Sequence, residues 1–202
     1  MGRETKKQEK RQRLLDSAYD CITRRGLSGT TISEIARKAG VAKGTFYLYF
    51  NDKDDIARSL NKRITFELIQ EAYAYTLEHL SDQLGDNLWT MADYTIGRFE
   101  KDPELIKVIK HDFIWPISEA DLYSEVGSDL IPGYLQISEY AHAMRRPVKE
   151  ILSVIYCIVC MLVSVCYDAI IEQNPASMHV MRPVLKNIIL TLVPPSPTVQ
   201  PI

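Results

Sequence analysis

Apolar residues recur every three or four positions along most of the chain, which is the spacing of one face of an α-helix. Single apolar and polar residues do not alternate over useful lengths, as they would in half-buried strands. We therefore predict an all-α protein. The spacing predicts helices over 7–25, 32–39, 43–50, 54–80, 87–99, 103–111, 134–145, 151–167 and 175–192.

The stretch from Thr30 to Ile56 carries the most specific pattern. Thr31 and Glu34 have the spacing of a capping box, in which the threonine hydroxyl accepts from the Glu34 amide and the glutamate reaches back to the Thr31 amide. Gly40 supplies a left-handed residue that ends this helix. A second short helix over 43–50 follows, and two short helices joined by a glycine turn predict a helix-turn-helix.

The second helix of such a motif enters the major groove of DNA, so its residues are candidate contacts. Tyrosine hydroxyls donate to phosphate oxygens, and a lysine in the first turn of the next helix lies where an anion is favoured. The alternative for Tyr47 and Tyr49 is that they cover a small core. The predicted DNA contacts are Thr31, Lys43, Gly44, Thr45, Phe46, Tyr47, Tyr49 and Lys53.

The same stretch resembles the DNA-binding signature of the TetR family of transcriptional regulators over about residues 8–56. The resemblance is carried by Thr30-Thr31-Ile32, Ile35-Ala36, Ala39-Gly40-Val41, Gly44-Thr45-Phe46-Tyr47, Tyr49-Phe50 and Lys53-Asp54 to Ile56. It departs from the family at Ala42, where serine or threonine is common, so a side-chain cap worth about 1 kcal/mol is missing or moved.

This resemblance implies a homodimer that binds a palindromic operator, with the last two long helices of each subunit forming a four-helix interface. It also implies a helix that links the DNA-binding head to a larger body holding a small-molecule pocket. The domains predicted on this basis are 1–53 (arm and helix-turn-helix), 54–80 (linking helix), 81–193 (regulatory and dimerisation domain) and 194–202 (proline-rich tail).

Charge is distributed unevenly between the two ends of the chain. Residues 1–53 hold twelve Lys and Arg against six Asp and Glu, a formal charge of +6, whereas residues 54–202 hold twelve against twenty, or −8. A basic end on an acidic body fits a protein that directs one end at DNA. The basic residues before position 14 either follow DNA phosphates or form a solvated tail. They include no apolar segment of a signal peptide, which favours a cytoplasmic protein.

Residues 151–167 form an uncharged run of seventeen residues. A membrane span usually needs about 20 apolar residues and a basic cluster beside it, so we expect a helix buried on its own domain and on a second subunit. Cys157 and Cys160 lie within this run and are expected to be small core residues rather than a metal or redox site.

Aromatic residues are concentrated in the middle of the chain, where they either fill a core or line a pocket for an apolar or aromatic ligand. The candidates are Trp89, Tyr94, Phe99, Phe113, Trp115, Tyr123, Tyr134 and Tyr140. No catalytic constellation, metal-ligand spacing or cofactor motif is visible, so we predict that the protein is not an enzyme and has no cofactor.

The function predicted from the sequence is a ligand-responsive transcriptional regulator, most simply a repressor released from its operator by an inducer. The alternative is a helical small-molecule-binding or membrane-associated protein whose N-terminal module contacts a protein partner.

Overall fold

The computed structural model describes residues 2–111 and 131–196, and every regular element in these ranges is a helix. The prediction of an all-α protein is confirmed. The helices are α1 (Gly2–Arg25), α2 (Ile32–Lys38), α3 (Lys43–Phe46), α4 (Lys53–Leu77), α5 (Leu84–Lys101), α6 (Pro103–His111), α7 (Ile131–Ala143), α8 (Val148–Tyr167) and α9 (Met178–Leu192). A π-helical segment, Asp168–Glu172, continues α8.

The described chain divides into two compact units. The N-terminal unit comprises residues 2–65 and 107–111, and the C-terminal unit comprises residues 66–106 and 131–196. Helices α4 and α6 contribute to both units, because the divisions fall within them.

The N-terminal unit is built on a small apolar core to which each of its first four helices contributes. α1 packs on α2, and α2 packs on α3. Burial of these side chains is what holds short helices in place, since elements of four and seven residues are not stable alone. The buried core residues are Leu14, Leu15, Ala18, Ile35, Ala36, Ala39, Phe46, Phe50, Ile56, Ala57 and Leu60.

The C-terminal unit packs α9 against α5 and α8, and α7 against α8. Its core takes one apolar stripe from each long helix, including Ile96 and Phe99 of α5 and Leu185 and Ile189 of α9. Gly85 permits a close approach at the end of α9, because a Cβ atom there would lie 2.4 Å from the Val193 carbonyl oxygen.

Several helix bounds differ from the sequence-based prediction. α1 begins at Gly2 rather than at residue 7, so the predicted arm before residue 7 is helical, and no proline interrupts it. α4 ends at Leu77 instead of residue 80, and the next helix, α5, begins at Leu84 instead of residue 87. The buried Asn87 side chain accepts from the Ser81 amide (2.8 Å) and donates to the Ser81 carbonyl (2.7 Å), which holds this connection out of a helix.

The segment Val148–Glu172 is long and apolar enough to cross a membrane, judged by length and composition alone. Core helices of proteins outside membranes share this property. In its most apolar stretch of 18 residues, 33% is buried within the chain. Cys157, expected in the core, is exposed, and Cys160 is half-buried, so that prediction is wrong for Cys157.

A buried polar pair joins α4 to the end of α6 within the N-terminal unit. The Asn61 side-chain amide donates to the carbonyl oxygens of Val108 and Ile109, both at 3.1 Å. Val108 and Ile109 belong to the last described turn of α6. The Thr65 hydroxyl in turn donates to the Asn61 side-chain oxygen at 3.2 Å.

Replacing Asn61 by alanine should destabilise the protein by about 1–3 kcal/mol, because two buried hydrogen bonds from its side chain are lost. Thr65→Val keeps the shape of its side chain and removes only the hydrogen bond to Asn61, so it should cost less. Urea unfolding followed by circular dichroism measures both. Equal midpoints for wild type and Asn61→Ala would contradict the assigned role of this pair.

Candidate DNA-contact surface

The start of α2 is fixed by its first-turn side chains. The Glu34 amide donates to the Thr31 hydroxyl oxygen at 3.2 Å, and Thr31 has the extended backbone of an N-cap. This is the first half of the predicted capping box. The Glu34 carboxylate pairs with Arg25 and lies 3.5 Å from the Thr31 hydroxyl. Thr31 is exposed.

The turn after α2 is a Schellman motif centred on glycine. Gly40 has φ +67°, as predicted for the residue that ends this helix. Its amide donates to the Arg37 carbonyl at 3.2 Å, and the Val41 amide donates to the Ala36 carbonyl at 3.0 Å. These two bonds close the end of α2 and set the direction in which the chain enters α3.

The recognition segment, defined as residues 43–49, is shorter in regular helix than predicted. α3 ends at Phe46 rather than Phe50, and the following turn has amide-to-carbonyl bonds from Leu48 to Thr45 (3.2 Å) and from Tyr49 to Phe46 (3.0 Å). Ala42 occupies the N-cap position without a side-chain hydrogen bond, as its sequence required. The segment therefore depends on tertiary packing to keep its shape.

Phe46 provides that packing. Its side chain is fully buried, its ring centroid lies 5.7 Å from that of Phe50, and Tyr47 meets it edge-on at 5.5 Å. Its inclusion among the predicted DNA contacts is therefore wrong, because a core side chain does not face a duplex. The buried Phe46 side chain anchors the recognition segment to the core of the N-terminal unit.

Most of the other predicted contacts face solvent. Lys43 and Gly44 are exposed, Tyr47 is 51% exposed, and Thr45 and Tyr49 are half-buried. A Cβ atom at Gly44 would meet nothing within 4 Å, so backbone is accessible there. Among the described residues Lys43 has no ion-pair partner, which leaves its charge for a polyanion.

Lys53 lies in the first turn of α4, as predicted, but its ammonium group is engaged within the chain. The Nζ atom donates to the Leu27 carbonyl at 2.6 Å and lies 3.5 Å from the Ser28 carbonyl. Asp52 caps the same helix by accepting from the Asp55 amide at 2.7 Å. Lys53 thus links the α1–α2 connection to α4. Its contact with a DNA phosphate stays a prediction, and the third N–H of the ammonium group is available for it.

Leu48 is a candidate contact that the sequence analysis missed. Its side chain is 75% exposed on the recognition segment. Apolar side chains in the major groove contact the methyl group of thymine. Leu48 stands two residues from both Phe46 and Phe50 in an apolar run, so the pattern alone could not separate an outward side chain from the two core residues.

The aromatic residues predicted to line a pocket are not brought into one cluster where the structure describes them. Tyr94 contacts Tyr75 of α4, with ring centroids 5.0 Å apart, whereas Trp89 lies under the Lys186 ammonium of α9 at 5.7 Å. Phe99 is a core residue, and Tyr134 is half-buried. Phe113, Trp115 and Tyr123 lie outside the described residues.

Tyr140, another predicted pocket residue, serves as an anchor. Its side chain is buried and its hydroxyl donates to the Pro194 carbonyl at 2.9 Å, which fastens the chain after α9. Burial raises the pKa of this phenol above its usual value. A Tyr140 ring committed to this contact is part of the core.

Metal and thiol chemistry find little support in the part of the chain that the structure describes. No group of three His, Cys, Asp or Glu side chains there could hold a metal ion. Burial, with a smaller contribution from Glu100, raises the pKa of the Cys166 thiol to about 12. Cys166 is thus protonated at neutral pH and a poor nucleophile.

The geometry of the N-terminal unit agrees with a comparison of sequences. Residues 14–60 match the model for "Bacterial regulatory proteins, tetR family". The resemblance to the TetR family is confirmed. The matched residues begin at the first buried leucine of α1 and end in α4, so they contain the capped α2, the Schellman turn and the recognition segment.

Curated relatives that match the N-terminal part of this chain are transcriptional regulators by name. The fatty acid metabolism regulator protein of Bacillus subtilis is 41% identical over 64 residues, which are 32% of this chain and 33% of the relative. The HTH-type transcriptional regulator AcrR of Shigella flexneri is 45% identical over 58 residues, 28% of this chain and 27% of the relative. These matches span about a third or less of the relatives' own length.

Solved structures extend the likeness in fold to nearly the whole chain. The transcriptional regulator FadR from Bacillus subtilis in complex with stearoyl-CoA has a TM-score of 0.61 at 18% identity, covering 90% of this chain and 98% of that one. A TetR family transcription regulator from Marinobacter aquaeolei VT8 has a TM-score of 0.58 at 17% identity, covering 94% and 98%. At these identities the likeness concerns the fold.

Phe46→Ala should lower the stability of the protein, whereas Leu48→Ala should lower its preference for a particular DNA sequence. The cavity left at Phe46 should cost about 3–5 kcal/mol, while the exposed Leu48 should change stability by less than about 0.5 kcal/mol. Leu48→Ala should instead lower the preference for a duplex selected from a random library by the wild-type protein. Urea unfolding measures the first effect, and competition with random duplex in fluorescence anisotropy measures the second.

Equal destabilisation by the two substitutions would show that Leu48 is packed rather than presented. An unchanged preference of Leu48→Ala for the selected duplex would remove this residue from the contact surface.

Proposed function

We propose that this protein is a transcriptional regulator that binds double-stranded DNA through the recognition segment. The observation that carries the proposal is the pairing of a fully buried Phe46 with outward-facing Lys43, Tyr47 and Leu48. This arrangement exposes a cation, a hydroxyl and an apolar group on a segment that the buried Phe46 holds in place. These are the groups that contact phosphates and base edges in the major groove.

A homodimer follows as part of the proposal. One recognition segment reads few base pairs, whereas a two-fold dimer reads a palindrome with half-sites one helical turn apart. α9 presents a line of exposed apolar side chains at four-residue intervals, Val180, Val184, Ile188 and Leu192, and α8 adds the 45%-exposed Tyr156. We assign this face of α8 and α9 to the contact between subunits.

Regulation by a small molecule is the third part of the proposal. An inducer bound in the C-terminal unit would favour an arrangement of α4 that no longer fits the operator, so a repressor would dissociate. The fold is shared with a FadR structure that contains stearoyl-CoA. A ligand screen therefore includes long-chain acyl-CoA beside the apolar and aromatic compounds suggested by the sequence. We place the protein's action in the cytoplasm.

The double variant Lys43→Ala, Tyr47→Phe should bind the selected duplex at least about tenfold more weakly, since each lost contact is worth about 1–3 kcal/mol. Both residues are exposed, so its unfolding midpoint and oligomeric state should match those of the wild type. Fluorescence anisotropy in the presence of random duplex measures the affinity. Unchanged binding would exclude this surface and favour a protein partner for the N-terminal module.

A charged residue on the exposed face of α9 should separate the subunits. Ile188→Asp would place an unpaired carboxylate in an apolar interface, so the mass in sedimentation equilibrium should fall from dimer to monomer. Leu135→Asp is the matched control, because Leu135 is equally apolar and 55% exposed on α7, outside this face. A dimer that survives Ile188→Asp, or one lost equally in both variants, would contradict the assigned interface.

A further inference from the structure

α1 extends well beyond the core of the N-terminal unit. The helix begins at Gly2, residues 6–13 are all exposed, and Leu14 is the first buried residue after them. At a rise of about 1.5 Å per residue, those eight residues project for about 12 Å. Exposed side chains on a projecting helix form a surface that a partner can reach.

That projection carries a basic stripe, defined as Lys6, Lys7, Lys10, Arg11 and Arg13. At about 100° per residue, the five side chains fall within an arc of about 160° on the helix. Glu9 is the one acidic residue in 6–13 and falls outside the arc. The stripe is thus a continuous cationic face rather than a mixed solvated surface.

Acidic residues farther along α1 are engaged elsewhere. Asp16 pairs with Arg63 at 2.7 Å, and Asp20 pairs with Lys38 at 2.7 Å. Among the described residues, no carboxylate forms an ion pair with the stripe. Its positive charge is therefore not neutralised within the described part of the chain.

The position of the stripe relative to the recognition segment is fixed by Arg11. Its guanidinium carbon lies 5.3 Å from the ring centroid of Phe50, the residue that directly follows the recognition segment. Arg11, Leu14 and Ala18 lie on one side of α1, with Leu14 and Ala18 in the core. The face of α1 that covers the core thus continues beyond it, beside the recognition segment, as Lys7 and Arg11.

We propose that the basic stripe is a second DNA-contact surface, which binds backbone phosphates of the duplex flanking the half-site. This proposal rests on the proposed function, because it adds a contact to the same DNA. Lysine and arginine contacts to phosphate carry no base information. The stripe therefore increases affinity and salt dependence without changing which sequence is preferred.

The test compares two duplexes with the same selected sequence, one ending at the half-sites and one extended by arbitrary flanking base pairs on both sides. The full-length wild type is measured beside Lys6→Gln, Lys7→Gln, Lys10→Gln as a triple variant. Arg11 is left in place because it packs on Phe50. A control triple variant, Lys101→Gln, Arg145→Gln, Lys149→Gln, removes equal charge from exposed positions in the C-terminal unit.

Wild type and control should bind the extended duplex more tightly than the short one, with a steeper fall in affinity as salt rises. The slope of log affinity against log salt concentration should drop by about 1 for each phosphate contact that the stripe variant loses. The stripe variant should bind both lengths equally and still prefer the selected sequence over random duplex.

Two results would overturn the proposal, and they are distinguishable. If the wild type prefers the selected sequence but binds both lengths equally and with the same salt slope as the stripe variant, the stripe is a solvated face and the regulator function stands. If the wild type shows no preference for any sequence, the proposed function fails and the stripe proposal fails with it.

Discussion

Burial of Phe46 is the interaction on which the DNA-contact surface depends. α3 has four residues and no side-chain cap, so hydrogen bonds and intrinsic propensity cannot hold it. The ring of Phe46, packed against Phe50 over the α1–α2 core, holds the recognition segment in one position. In the same short segment Phe46 contributes to stability, whereas Lys43, Tyr47 and Leu48 face outward and are the proposed contacts with DNA.

Electrostatics separate the cations of the N-terminal unit into two groups. Arg25, Lys38 and Arg63 are paired with carboxylates, and Lys53 donates to the Leu27 carbonyl, so these four are engaged in contacts within the unit. Lys43 and the basic stripe have no such partner among the described residues. Exposed ion pairs contribute little to stability, which is why the unpaired group can be devoted to a polyanion at small cost to the fold.

Local features of the site could be predicted from the sequence, and features that depend on distant residues could not. The Thr31 cap and the left-handed Gly40 follow from neighbours within five positions. The early end of α3 and the opposite orientations of Phe46 and Leu48 depend on how the segment lies on α1 and α2. Asn61 meets carbonyls 47 and 48 residues away, which no local pattern reveals. Aromatic content likewise could not distinguish the core residue Tyr140 from a pocket wall.

We propose that two copies of this surface read a palindrome. Hydroxyl-radical footprinting of the wild-type protein on its selected duplex tests it most directly. Two protected half-sites should appear, related by two-fold symmetry and centred about one helical turn, roughly 10 base pairs, or a multiple of it apart. A single protected half-site, or protection that spreads without a boundary along the duplex, would contradict the account.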